Sequence, residues 1–177
     1  MQKNLLNISF FIYLAIFIVN HYQNQGTLWA AVNESEENKA EIRESVANKP
    51  LTEFKQKITT SVKVKKIHVN ETVKMPIRIK NITKQIWPGS YAANSVRLCY
   101  YWIEQPGKKY IIQGPRIFLP EDLAPGKSVT LIVTVTAPDK PGKYILQFTM
   151  VQEHVAWFEQ KGAKTLDIPI SVLEINQ

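Results

Sequence analysis

The chain has 177 residues, of which 45% are hydrophobic and 21% are charged. These values are typical of a globular protein, and the length suits a single domain with an extension. The single cysteine, Cys99, excludes an intramolecular disulfide. It also excludes a metal site or an iron–sulfur cluster built from the cysteines of one chain. Such a fold must be held together by its own core.

The net charge of +7 is unevenly distributed along the chain. Residues 1–54 contain four basic and six acidic residues, whereas residues 55–177 contain eighteen basic and nine acidic residues. A basic domain of this kind can attract nucleic acid, anionic lipid or an acidic polymer. The alternative is a set of solvated lysines on outward strand faces. No dense run of Lys and Arg is interleaved with aromatic residues, so we do not predict a nucleic-acid partner.

The N-terminal residues 1–31 have the pattern of a targeting segment. Lys3 gives a basic start, and Leu5–Val19 is an apolar run broken only by two polar residues. A signal sequence needs an apolar region of about 7–15 residues, whereas a membrane-spanning helix needs about 20. Small residues for cleavage occur only at Ala30 and Ala31. We therefore predict an exported protein (periplasmic, cell-surface or secreted) with either a cleaved signal peptide or an N-terminal membrane anchor.

Residues 32–57 form a predicted polar linker. Ile42 and Val46 are four residues apart, a spacing that permits a short helix ending before Pro50. This segment has too little apolar surface to pack firmly. We expect it to separate the N-terminal segment from a domain over residues 58–177.

Two period-two apolar runs joined by the turn APDKPGK define the clearest strands of that domain. Successive side chains of a strand point to opposite faces, so each run places one apolar row on a core. The prolines and glycine of the link stop both helix and ladder. The inward rows are Val129, Leu131, Val133 and Val135 in the first strand, and Tyr144, Leu146, Phe148 and Met150 in the second.

The remaining strands follow from the same alternation. The run over 58–69 slips register at Lys65–Lys66, which suggests a β-bulge. Pro76 and Pro169 indicate edge or outward positions because proline cannot donate to a ladder. Gly114-Pro115 interrupts another run and predicts two short pieces. About seven strands separated by turn signals predict an all-β antiparallel sandwich, with no helix after residue 57. The strands are 58–69, 71–82, 96–104, 110–119, 129–135, 144–151 and 163–175.

Several segments carry a resemblance to a known group of domains. The chain resembles immunoglobulin-like modules of bacterial cell-envelope and polysaccharide-biosynthesis proteins, which often lie beside glycosyltransferase or methyltransferase domains. It is more distantly similar to the four-tryptophan immunoglobulin-like domain of selective-autophagy receptors. The resemblance covers about 58–173 and implies an immunoglobulin-like sandwich in the cell envelope. The segments are Asn81–Pro88, Val96–Trp102, Gly114–Gly126, Val135–Tyr144 and Met150–Phe158.

Two aromatic residues have clear structural expectations. Trp102, on a central strand, is a wide apolar plate over which two sheets can close. Tyr144 follows Pro141-Gly142 and resembles a tyrosine corner, whose hydroxyl bonds a carbonyl a few residues upstream. The predicted core set is Trp87, Leu98, Tyr100, Trp102, Tyr144 and Phe148.

The residues give little support for catalysis. The three histidines are His21, His68 and His154, and they are too scattered for an H-x-x-x-H spacing. No nucleophile elbow, P-loop or Gly-rich dinucleotide motif occurs. A pair of loop carboxylates such as Glu121 and Asp122 could serve glycoside hydrolysis, but loop carboxylates more often act as solvated caps. We predict no enzyme activity, no metal and no cofactor.

The candidate binding residues are aromatic and charged side chains directed away from the core. A flat aromatic ring with neighbouring hydrogen-bonding groups suits a sugar ring, and it equally suits a protein partner. We therefore predict a non-enzymatic module that binds glycan or polysaccharide, with a structural or scaffolding module for an envelope or membrane protein as the alternative. The candidates are Arg97, Tyr101, Arg116, Gln152, Glu153 and Trp157.

Each candidate also has a purely structural interpretation. Trp87 and Trp157 can close the open ends of the sandwich, and Arg97 or Arg116 can pair with Glu153 as a structural bridge. Cys99 is either a reactive thiol or a small, half-buried strand residue.

Overall fold

A computed structural model describes residues 49–89, 92–106 and 109–175, together with Glu37, Asn38 and Glu41. The chain divides into two compact units, residues 1–43 and residues 44–177. The predicted targeting segment (1–31) and most of the predicted linker lie outside the described residues. Within the part that is described, no helix has the length and apolar character needed to cross a membrane.

The regular secondary structure in the described part of the second unit is almost entirely β-strand. It contains ten strands where the sequence predicts about seven, because several of them are short pieces, and a 3₁₀ helix at Glu159–Lys161. The strands are β1 (Gln56–Thr60), β2 (Lys66–His68), β3 (Thr72–Asn81), β4 (Val96–Gln105), β5 (Lys109–Gln113), β6 (Ile117–Phe118), β7 (Ser128–Thr136), β8 (Gly142–Gln152), β9 (Ala156–Trp157) and β10 (Leu166–Leu173).

These strands form two sheets. The smaller sheet has the order β1-β3-β7, and the larger has the order β2-β10-β8-β4-β5, with β6 on β4 and β9 on β8. All pairings of these ten strands are antiparallel except that of β2 with β10. Sequential strands thus divide between two sheets, as in the Greek-key connections of immunoglobulin domains. The domain is an immunoglobulin-like β-sandwich, which confirms the predicted fold class.

The segment 61–65 corrects one sequence interpretation. The slip of alternation at Lys65–Lys66 suggests a bulge within one strand. The chain instead leaves the smaller sheet at Thr60 and joins the larger sheet at Lys66, where β2 lies parallel to β10. A switch between sheets breaks the alternation in the same way as a bulge, so the pattern alone does not separate the two.

The other interruptions agree with the predicted strand breaks. Gly114-Pro115 separates β5 from β6. At Gly114 a Cβ would lie 2.3 Å from the Tyr100 ring, so a side chain there would displace that ring. Pro76 and Pro169 both lie in strand segments with a free side, because β1 pairs only with residues 77–81 of β3, and β2 pairs only with residues 171–173 of β10.

Alternation places the core between the sheets. Trp102 is fully buried, and its indole Nε1 donates a 2.9 Å hydrogen bond to the carbonyl of Thr136 in β7 of the opposite sheet. The Tyr144 ring meets Trp102 edge-on with centroids 6.0 Å apart. The core residues expected from the sequence are all buried: Trp87, Leu98, Tyr100, Trp102, Tyr144 and Phe148.

The segment before β1 belongs to the sandwich, not to a separate linker. Leu51 is buried against the core, and β1 begins at Gln56, two residues before the expected start of the domain. Three glutamine side chains hold this segment. Gln152 Oε1 accepts from Leu51 N at 2.8 Å, Gln85 Oε1 accepts from Thr52 N at 2.8 Å, and Gln56 Oε1 accepts from Met150 N at 2.8 Å.

The turn before β8 has the geometry of a tyrosine corner. Tyr144 is buried, and its hydroxyl donates to the carbonyl of Lys140 at 3.0 Å. This hydrogen bond ties the β7–β8 connection to strand β8 of the larger sheet. The arrangement is the one expected from Pro141-Gly142 preceding the tyrosine.

The Tyr144→Phe variant measures how much the tyrosine-corner hydrogen bond contributes to the free energy of unfolding. It removes one hydrogen bond and keeps the buried ring, so we expect the free energy of unfolding to fall by about 1 kcal/mol. Urea denaturation followed by circular dichroism gives the value, with an unchanged m-value as evidence that both states keep their compactness. An unaltered free energy of unfolding would show that the hydroxyl is not part of the corner.

Candidate functional site

The outer face of the larger sheet gathers most of the candidate side chains. Arg97 and Tyr101 alternate on β4 with the buried Leu98, Tyr100 and Trp102, so they point away from the core. The short strands β6 and β9 pair with β4 and β8, respectively, within the same sheet. Each adds side chains to the outer face. We call this group the aromatic–arginine cluster; its members are Arg97, Tyr101, Arg116, Phe118, Glu153 and Trp157.

One half of the cluster consists of side chains packed around Trp157. The Tyr101 and Trp157 ring centroids are 5.3 Å apart with an interplanar angle of 52°. The Arg116 guanidinium lies 5.0 Å from the Trp157 ring centroid, within the range of a cation–π interaction. Trp157 is partly exposed on this face, so it does not close an end of the sandwich.

The other half of the cluster is formed by Arg97 and Phe118. The Arg97 guanidinium carbon lies 4.0 Å above the Phe118 ring, and Arg97 Nε donates to Ser95 Oγ at 3.0 Å. Phe118 is 45% exposed, a large apolar surface for a side chain in a strand. Sequence reasoning missed Phe118. Ile117 turns inward and leaves Phe118 on the outer face, but a strand of two residues is too short to show this alternation in the sequence.

Glu153 joins the two halves. Its side chain is only 7% exposed, Arg116 Nη1 donates to its Oε2, and Arg97 Nε lies 3.3 Å from its Oε1. The structural interpretation offered by the sequence, a bridge from arginine to Glu153, therefore describes the contacts made. Arg116 is held beside its aromatic ring by a hydrogen bond to Glu153, and Arg97 by a hydrogen bond to Ser95 together with its ion pair to Glu153.

Gln152 does not belong with the candidate binding residues. It is fully buried, Oε1 accepts from Leu51 N, and Nε2 donates to Lys49 O at 3.2 Å. The two ends of its amide are thus used by the segment before β1. Its proximity to Glu153 in the sequence misled the prediction, because Gln152 ends the β8 strand on the inner side.

Trp87 is also structural. It is fully buried, and Phe158 packs edge-on against it with centroids 5.2 Å apart. Phe54 meets the Phe158 ring in the same edge-on geometry, also at 5.2 Å. These three rings close one end of the sandwich, as the structural interpretation of Trp87 expected.

Cys99 lies beneath the outer face. It is completely buried, more than the sequence suggested, and its thiol donates to the Gly114 carbonyl at 3.4 Å. The Gln113 side-chain amide approaches Sγ at 3.8 Å. Burial raises the pKa of the Cys99 thiol, which disfavours the reactive thiolate. The contacts support the structural interpretation of this residue.

Metal ligation has no support in the described part of the chain, where no group of three His, Cys, Asp or Glu side chains is placed to hold an ion.

Comparisons with known proteins find distant structural likeness only. No protein-family model and no curated protein matches the chain. Among solved structures, the CARDB domain of the PF1109 protein from Pyrococcus furiosus, in complex with di-metal ions, matches with 15% identity and a TM-score of 0.41. The match covers 72% of this chain and 96% of that domain.

Two further matches are to parts of other proteins. The β-glucosidase from Listeria innocua matches with 12% identity and a TM-score of 0.42, over 69% of this chain and 16% of the enzyme. The PapD-like domain 7 of human CEP192 matches with 14% identity and a TM-score of 0.31, over 73% of this chain and 93% of that domain. The assignment of the fold here depends on strand order and register.

The Glu153→Gln variant measures how much the ion pairs of Glu153 with Arg97 and Arg116 contribute to the free energy of unfolding. It keeps the shape of the side chain and removes the charge that both guanidinium groups face. Because the arginines are partly exposed, we expect a loss of about 2 kcal/mol in the free energy of unfolding, below the cost of breaking a fully buried pair. Glu174→Gln, on an exposed carboxylate, is the matched control and should change it by less than about 0.5 kcal/mol. Equal effects of the two variants would contradict a structural bridge.

Alkaline pH tests the environment of Cys99. The folded protein keeps the thiol proton at a pH where the unfolded chain releases it. The contribution of Cys99 to the free energy of unfolding is therefore fully present below about pH 8.5 and is lost as the pH rises above that value. Burial also raises the pKa of Tyr100 and of Tyr144, which adds to the fall above about pH 10. Urea denaturation at a series of pH values between about 8.5 and 10 gives the free energy of unfolding as a function of pH. This free energy should fall less steeply with pH in Cys99→Ala than in the unmodified protein. An identical slope would show that the thiol does not titrate differently in the two states.

Proposed function

We propose that the sandwich is a non-enzymatic binding module of the cell envelope that recognises glycan or polysaccharide through the aromatic–arginine cluster. The observation that carries the proposal is the packing of the Tyr101 ring and the Arg116 guanidinium against Trp157 on an outer sheet face. The predicted targeting segment supports export to a compartment where such glycans occur.

The chemistry of the cluster fits a sugar. The faces of aromatic rings contact the apolar C–H face of a pyranose, while a guanidinium donates to ring hydroxyls. Arg116 bonds Glu153 through Nη1, and a guanidinium has five N–H donors in all, so donors remain for a ligand.

The Glu153 bridge makes this arrangement favourable for binding. It fixes the two guanidinium groups before a ligand arrives, so less conformational entropy is lost on association. Buried Glu153 thus acts as a positioning residue, while the rings and guanidinium groups supply the contact surface.

A second candidate function is that of a scaffolding module for an envelope or membrane protein. The exposed Phe118, stacked with Arg97, favours it, since aromatic and arginine side chains are enriched at the energetic centres of protein interfaces. The two functions use the same face and differ in the ligand, so one experiment with two probes separates them.

Trp157→Ala tests the proposed function in the full chain by a glycan array and polysaccharide pull-down. Loss of a stacked ring should weaken binding about tenfold, the equivalent of the 1–1.5 kcal/mol of an aromatic stack. The melting temperature should remain close to that of the unmodified protein, because the ring lies on the outer face. A collapse of the melting temperature would place Trp157 in the core and contradict the proposal.

Phe118→Ala distinguishes the two functions, with Ile82→Ala as the control because Ile82 has a similar exposed fraction, 46% against 45%. For a glycan module, Phe118→Ala weakens retention on polysaccharide and Ile82→Ala does not. If neither variant affects polysaccharide retention and Phe118→Ala instead abolishes capture of an envelope protein, the scaffolding function replaces the glycan function.

A further inference from the structure

The outer face of the smaller sheet is strongly cationic. Its outward residues alternate with the buried rows of β1, β3 and β7, and the sequences of these three strands contain no Asp or Glu. We call the exposed cations on this face, which are four in number among the described strand residues, the cationic face. Its members are Lys57, Lys74, Arg78 and Lys80.

Three of the cations lie close together, and the three strands of this sheet contain no acidic side chain. Lys57 pairs directly across the strands with Lys80, and Arg78 lies one pleat further along β3 opposite Thr59. Like charges in opposite positions destabilise a sheet, so this arrangement has a cost that folding alone does not explain. Within the described part of the chain, none of the four cations forms an ion pair or a side-chain hydrogen bond.

Protection of a sheet edge does not account for these charges. Lysines often line edge strands, where they prevent pairing with another chain. Lys74 lies in the part of β3 that β1 leaves unpaired, but Arg78 and Lys80 lie where β3 is flanked by both β1 and β7. Together with Thr59 and Lys57, Arg78 and Lys80 line a hollow of about 330 Å³. Cations around a hollow on a central strand point to an anion as their partner.

An apolar side chain lies within the same face. Ile132 is 65% exposed and pairs with Pro76, between the positions of Lys74 and Arg78 along β3. A linear polyanion would contact the cations and gain nothing from this isoleucine. At a bilayer surface, cations face the phosphate headgroups while an apolar side chain enters the interfacial region. The combination favours a lipid surface over a soluble polymer.

We infer that the cationic face docks on an anionic phospholipid surface, with headgroup phosphates at the hollow and Ile132 in the interface. This inference uses a different sheet from the aromatic–arginine cluster and does not depend on the proposed glycan binding. Each Lys or Arg near an anionic membrane strengthens binding about fivefold, so four cations give a preference of several hundredfold over a neutral membrane. Salt should weaken the binding, since the charges are exposed.

The test compares two triple variants of the full chain on vesicles. Lys57→Gln, Arg78→Gln and Lys80→Gln remove three charges from the cationic face. Lys143→Gln, Lys161→Gln and Lys164→Gln remove three exposed charges elsewhere and match the loss of net charge. Binding is measured by co-sedimentation with vesicles of phosphatidylcholine and phosphatidylglycerol in equal parts, and with vesicles of phosphatidylcholine alone. Any effect of the N-terminal segment is common to all variants.

The unmodified protein should prefer the anionic vesicles. The first triple variant should lose about a hundredfold in binding to them, and the control variant should lose far less. Ile132→Ser should weaken binding to anionic vesicles with the charge unchanged.

Equal losses for the two triple variants would overturn the inference. The inference would also fail if the first triple variant no longer bound soluble polygalacturonate but still bound the anionic vesicles. The partner would then be an acidic polysaccharide. Circular dichroism of each variant verifies that the fold is intact.

Discussion

The sandwich depends on one side chain that joins its two sheets. Trp102 in β4 fills the space between them and donates its indole N–H to the carbonyl of Thr136 in β7. A chain whose single cysteine is buried and free has no disulfide to hold the sheets together. Shape and directed hydrogen bonds between the sheets take that role, that of Trp102 at the centre and that of Gln56 with Met150 beside it. The edge-on contact of Trp102 with Tyr144 extends this support to the β7–β8 corner.

Closure over Trp102 leaves two outer faces of different chemistry. The larger sheet presents rings and arginines around a buried carboxylate, an arrangement that contains its own counter-charge. The smaller sheet presents lysines and arginine without any carboxylate in its strands. The first suits a neutral ligand with apolar and hydroxyl groups, and the second suits an anion. A thin two-layer fold can thus hold two independent binding surfaces on opposite sides.

Alternation in the sequence was enough to predict the long strands, the all-β sandwich and the buried set around Trp102 and Tyr144, but not the short strand β9. Period-two patterns report directly on which face a side chain occupies, so residues such as Leu98 and Phe148 could be placed in the core. The change of sheet at residues 61–65 was not predictable in this way. A loss of alternation shows that pairing changes, but it does not show to which sheet the next strand belongs.

Polar partners remote in sequence were harder to predict. The amide of Gln152 bonds Leu51 across about a hundred residues, and no local pattern distinguishes it from a side chain that faces a ligand. Phe118 was missed for a different reason: a two-residue strand is too short to show a period. The bridge from Glu153 to Arg97 and Arg116 was predictable as an alternative, since opposite charges near one aromatic face often pair.

Hydrogen exchange of the tryptophan indole protons tests the central claim most directly. The variants Trp29→Phe, Trp87→Phe and Trp157→Phe assign the four indole signals by NMR. The Trp102 indole proton should exchange only with global unfolding, because it is bonded between the sheets, while that of Trp157 on the outer face should exchange much faster. Fast exchange at Trp102 in the folded protein would show that the two sheets do not close over it, and the account of both faces would fail with it.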